Sequence, residues 1–99
     1  KRRTKLIQER SNALSPLKKE IERLEHRIIA LEERIKNTNE ALVVCSSSTN
    51  DLSELQRLGK AIKIDEEELE KLFETFESLH VRHDSLFEAY EIQLKNIEN

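Results

Sequence analysis

The sequence predicts an all-α fold, an antiparallel two-helix coiled-coil hairpin with a basic N-terminal helical lead-in. Three observations carry that prediction. From Leu17 onward the apolar residues step by four and three, through Ile21, Leu24, Ile28, Leu31 and Ile35 to Leu42, which are the alternating a and d positions of a heptad. The 99 residues include one Gly and one Pro, so repeated tight turns at positive φ are excluded, and with them strand-and-turn architectures. One run of small polar residues, at 45–50, separates two long periodic segments. Charged residues make up 37% of the chain and hydrophobic ones 36%, which is too few for a globule with a thick core but suits a long helix with one buried stripe.

The elements follow in order within one domain, 1–99. Residues 1–14 read as a basic lead-in helix, with Ile7 and Leu14 at a and Arg10 at d when the frame is extended backward. Ser15 reads as an N-cap with Pro16 at the first helical position, which predicts a kink or short break near 11–15 and a first long helix over 15–44. Cys45-Ser-Ser-Ser-Thr-Asn50 carries no seam residue, and its hydroxyls compete with helix for backbone hydrogen bonds, so 45–50 reads as the turn. Asp51 and Glu54 form the start signal of a second helix over 51–97. Its frame puts Leu55, Ile62, Leu69, Phe76, His83, Tyr90 and Ile97 at a, and Leu58, Asp65, Leu72, Leu79, Leu86 and Gln93 at d. Phe73, Phe87 and Leu94 widen the stripe. Two registers fit: Leu42 faces either Asp51 or Leu58, which sets Arg10 opposite either His83 or Tyr90. A continuous helix that dimerises is the competing architecture, disfavoured by the change of frame across the turn.

The net charge of −3 hides an asymmetry. Residues 1–36 hold 11 basic and 6 acidic groups, whereas 37–99 hold 6 basic and 14 acidic ones. Lys1, Arg2, Arg3, Lys5 and Arg10 form a cluster with one acid, Glu9, beside them. Lys18, Lys19, Arg23, Arg27 and Arg34 continue along the first helix, and Lys19, Arg23, Arg27 and Arg34 share a face by spacing. Such a stripe matches a phosphate backbone, each contact adding affinity through counterion release. The competing reading is a solvated face interleaved with Glu20, Glu22, Glu25 and Glu33. All four aromatics lie between Phe73 and Tyr90, away from the cations, so base stacking is not supported and any contact is to backbone or shape.

Other chemistry is sparse. His80 and His83 are three apart, with Glu77 and Asp84 near, but no third metal ligand presents itself. Asp65 at d is a polar interruption that either fixes register or marks a departure from the coil. Cys45 has no sequence neighbour to activate it and no partner for an internal disulfide, so a reducing, cytoplasmic setting is expected. No apolar run approaches the roughly 20 residues of a membrane span. Neither an enclosed pocket nor a phosphate-cradling Gly loop is expected, so this chain is not expected to be an enzyme and no cofactor site is assigned. It opens on Lys1, and the expectation is a piece of a longer protein.

The stretch from Lys1-Arg-Arg3 to Ile35, above all Ser15-Pro-Leu-Lys-Lys-Glu-Ile-Glu-Arg-Leu-Glu25, resembles the C-terminal coiled-coil domain of the ABC-F ATPases, soluble duplicated ATP-binding cassette proteins. Glu67-Glu-Leu-Glu-Lys-Leu-Phe73 fits the returning helix of that family. The resemblance implies a parent that hydrolyses ATP with Mg and acts on ribosomes in translation or, in the Uup-like branch, associates with DNA through this tail. No Walker A, Walker B or signature motif lies in the chain, so no ATP-binding residue is carried over. The family's positive surface maps to Lys1, Arg2, Arg3, Lys5, Arg10, Lys18, Lys19, Arg23 and Arg27, the implied nucleic-acid-binding residues. The implied partners are DNA or ribosomal RNA and the parent's own cassettes, with the hairpin a monomer or weak dimer. The alternatives are a structural spacer or protein-docking arm using Phe73, Phe87 and Leu94, and the RNA-gripping helical arm of a tRNA synthetase.

Overall fold

The computed structural model describes residues 1–48 and 51–98; Thr49, Asn50 and Asn99 lie outside the described residues. Two helices account for nearly all of them, α1 over Arg2–Ser48 and α2 over Leu52–Glu98, in the all-α hairpin that the heptads predict. The described residues include no strand, and no helix among them is long and apolar enough to cross a membrane. Contacts group into two units, one of Lys1–Glu25 with Thr75–Asn99 (the terminal unit) and one of His26–Glu74 (the turn unit).

In the turn unit the seam is built from Ile28, Leu31, Cys45 and Leu58, all buried, with Ile35, Leu42, Ile62 and Leu69 half-buried beside them. Leu31 is the deepest, at 1% exposure. Ion pairs Arg34–Asp65 and Arg27–Glu68 join the helices, and their numbering shows antiparallel packing. Arg34 beside Asp65 fits the register in which Leu42 faces Leu58.

In the terminal unit Leu14, Ile21 and Leu24 from α1 and Leu94 from α2 are buried, and Phe76, Leu79, His83, Leu86 and Tyr90 are half-buried. Arg10 pairs with Glu91, next to Tyr90, so this unit also takes the second of the two registers.

Two boundaries differ from the sequence reading. No break occurs at 11–15: Pro16 lies inside α1, and Ser15 is a helical residue rather than a cap. Proline removes one amide donor, leaving the Asn12 carbonyl without its helical partner. Both residues are exposed, which keeps that carbonyl out of the apolar interior, while Leu14 and Ile21 hold the helix to its neighbour on either side of the defect.

The helix also runs past 44. Cys45, expected in the turn, is 8% exposed and occupies the next d position of the seam. Serines 46–48 support that extra turn instead of ending it. The Ser46 and Ser47 hydroxyls donate to the Val43 carbonyl at 2.9 Å and Ser48 to Val44 at 2.7 Å, bonding back to carbonyls one turn earlier within the helix so that the hydroxyls are satisfied without breaking it. Of the expected turn, 45–48 is therefore helical, and 49–50 lies outside the described residues.

At the start of α2 the expected cap is present. The Glu54 amide donates to Asp51 Oδ1 at 3.2 Å, and the Glu54 carboxylate, in the first turn, suits the helix dipole. That carboxylate is engaged by Arg57 one turn on.

The seam also drifts at both chain ends. Leu94 is buried where Gln93 was expected, and Leu6 turns inward while Ile7 is exposed. A straight helix of 3.6 residues per turn slips about 20° per heptad against a 3.5 repeat, so a frame carried over many heptads ends one position away.

Candidate nucleic-acid interface

The nine cations assigned from the sequence separate into two kinds once their surroundings are visible. Arg10, Arg23 and Arg27 are engaged within the chain. Arg10 is the most enclosed, pairing with Glu91 and standing over the Phe87 ring with its guanidinium carbon 5.3 Å from the centroid. Arg23 Nε donates to Glu20 on its own helix at 3.1 Å, and Arg27 Nη2 reaches Glu68 on α2 at 2.6 Å.

By contrast Lys1, Arg2, Lys5, Lys18 and Lys19 are exposed and have no ion pair among the described residues. All five lie on α1 or at its start, within the terminal unit. Arg3 is exposed on the same stretch and makes an interaction of its own. A cation already hydrogen-bonded to a carboxylate must give up that partner to meet a phosphate, so the unpaired lysines and Arg2 dominate the positive field offered to an external polyanion.

Arg34, the last member of the expected outward stripe, turns toward Asp65. Its Nε and Nη2 donate to Oδ2 and Oδ1 at 2.8 and 2.7 Å, a parallel fork on one carboxylate. These bonds, above all, hold the Asp65 carboxyl below the usual aspartate range, outweighing the opposite effect of burial. The Arg34 guanidinium is pushed up by the same pair. Glu20 and Glu54 are likewise lowered by hydrogen bonds from Arg23 and Arg57, which are raised in return.

The roles of Arg27 and Arg34 were missed because their spacing of seven places them on one face without saying what that face meets. The signal lay on the other helix. In the heptad frames Arg27, Arg34 and Glu68 are all g residues, and in an antiparallel pair g columns flank the same side of the seam.

The remaining candidates do not assemble a reactive centre. His80 lies edge-on to Phe76 at 4.6 Å between centroids. His83 Nδ1 is 3.1 Å from Asp84 Oδ1, and its ring stacks on Phe87 at 6.4 Å. Among the described residues no group of three or more His, Cys, Asp or Glu could hold a metal ion. Cys45 is buried in the seam. Of the apolar residues that widened the stripe, Leu94 is core, whereas Phe73 and Phe87 remain 42% and 43% exposed.

Comparison with known proteins adds one positive finding. No curated protein and no solved structure matches the chain. The family model for the ABC transporter C-terminal domain matches residues 15–80, from the Ser15-Pro16 step of α1 to His80 of α2. That span covers most of the chain and includes both strands of the seam described above, which makes this hairpin an accessory module of an ABC-type protein: the chain belongs to the ABC transporter C-terminal domain family.

Proposed function

We propose that this module gives a soluble, cytoplasmic ABC-F-type ATPase a contact to nucleic acid, either DNA or ribosomal RNA, through the phosphate backbone. The observation that carries the reading is the set of exposed cations without an ion pair among the described residues, Lys1, Arg2, Lys5, Lys18 and Lys19, on a helix whose Arg10, Arg23, Arg27 and Arg34 are already paired. ATP and Mg belong to the parent's cassettes in this reading. The hairpin supplies affinity and no chemistry.

With about four phosphate contacts, log affinity should fall against log salt with a slope near −3 to −4 on duplex DNA. Neutralising Lys1, Arg2 and Lys5 to Gln should remove most of the affinity and flatten that slope, whereas Arg27→Gln should leave both nearly unchanged. Fluorescence anisotropy with a labelled duplex and a labelled RNA hairpin across a salt series reads this directly. Salt-independent binding, or binding that survives the triple change, overturns the reading.

A second reading, a protein-docking arm, draws support from the exposure of Phe73 and Phe87. Leu94, its third expected contact, is buried and drops out. Membership of the ABC family leaves no support for the synthetase-arm alternative.

A further inference from the structure

We infer that the Phe87 face of the terminal unit is a self-association surface that takes a second copy of this chain. On one side of this unit α1 and α2 leave a recess of about 330 Å³ lined by the apolar Ile7, Leu14 and Phe87, by Arg10, which is paired with Glu91, and by Ser11, Ser15 and Lys18. Of the lining, Leu14 is buried, while Ile7 from α1 and Phe87 from α2 stand 39% and 43% exposed. A cavity of about 150 Å³ already accepts benzene, so this recess has room for an aromatic side chain.

The same patch supplies both a projection and a hollow. Phe87 is held from within by the Arg10 guanidinium at 5.3 Å and by the near-parallel His83 ring at 6.4 Å, yet much of the phenyl is left outside. A two-fold axis near this ring sets Phe87 of each copy over the recess of the other, the isologous arrangement that a closed dimer requires.

The polar groups around it are complementary in the same sense. Lys18, which lines the recess, has no ion pair among the described residues. Neither has Glu88, the exposed residue that follows Phe87. A second copy that seats its Phe87 brings its Glu88 toward Lys18, twice by symmetry.

The hydroxyls of the lining point the same way. The α1 hydroxyls of Thr38, Ser46, Ser47 and Ser48 bond back to helix carbonyls, but those of Ser11 and Ser15 have no hydrogen-bond partner among the described residues. They remain open to an incoming surface. Lys1, Arg2, Lys5 and Lys19 do not line the recess, whereas Lys18 does, so self-association and the proposed nucleic-acid contact share that one cation and are otherwise separate.

Sedimentation equilibrium of the 99-residue chain, from low micromolar to submillimolar concentration, tests the inference. The expected result is a monomer–dimer equilibrium within that range, because a patch of this size makes a weak interface. Phe87→Asp should weaken it at least about tenfold, with circular dichroism verifying that the helices persist. Lys18→Glu and Glu88→Lys should each weaken it by a few-fold, and the double swap should restore it, a result that loss of folding cannot mimic. A chain that stays monomeric throughout, a Phe87→Asp variant that still dimerises, or a double swap without restoration overturns the inference.

Discussion

Arg34 holds Asp65 by both carboxylate oxygens, and Asp65 is the buried charged residue of the described seam, at 7% exposure. One fork from α1 thus satisfies a charge set among leucines and isoleucines on α2. A pair of this kind selects an alignment more than it strengthens the fold, because a shift of one heptad would leave the aspartate buried without its partner. Arg34→Ala should therefore lower the melting temperature. Asp65→Leu should match or exceed the unmodified chain in melting temperature, yet loosen the register. Thermal melts read the first effect, and paired spin labels across the turn unit read the second as a broadened distance distribution. An Asp65→Leu variant with a single sharp distance would remove the register role.

The same pair sets an acid dependence. Asp65 is lowered in the fold from an ordinary value of 3.8, so its contribution is complete above that value and is lost as pH falls through the depressed one. Glu20 and Glu54, lowered from 4.5, act in the same direction and begin to lose their contribution at slightly higher pH. Stability measured by urea unfolding should be flat with respect to these groups above about pH 5 and fall progressively below it. Asp65→Asn should reduce the decline at the acid end of that range.

Pro16 offers a test of continuity in α1. At the first position of a helix, a proline costs nothing and its replacement by Ala changes little. Within a helix, where it lies here, Pro16→Ala should restore an amide donor for the Asn12 carbonyl and stabilise the hairpin by up to about 3 kcal/mol. Ser15→Ala should be neutral or mildly stabilising, whereas loss of a true N-cap costs about 1 kcal/mol. Denaturant midpoints of the two variants distinguish these cases.

Leu31 has the least room to relax around a deletion, being the most enclosed side chain of the seam. Leu31→Ala should cost about 2–5 kcal/mol. The exposed Ile29 two residues earlier provides the contrast, since Ile29→Ala removes little buried surface and should change stability by less than about 1 kcal/mol. Urea unfolding of both variants checks the seam assignment.

The sequence by itself determined the hairpin. A heptad is a local property of a helix, so Leu24, Ile28 and Leu31 could be assigned to the interior, and Asp51 to a cap, without knowing what they pack against. The Ser-Pro-Leu-Lys-Lys-Glu-Ile segment likewise pointed to an ABC protein's C-terminal domain, and all of that segment lies in the span the family model matches.

What only the tertiary structure decided is anything that depends on the opposite helix. Local signals placed a break at Pro16 and a turn at Cys45, because proline geometry and serine hydroxyls disfavour an isolated helix. Packing of Leu14, Ile21 and Cys45 against α2 outweighs them. The basic stripe divided for the same reason. Spacing along α1 lists its cations, but Glu91 and Glu68 on α2 claim Arg10 and Arg27 and leave Lys5 and Lys19 to solvent. Charge is a property of a residue, whereas availability depends on the carboxylates that the fold brings within hydrogen-bonding distance.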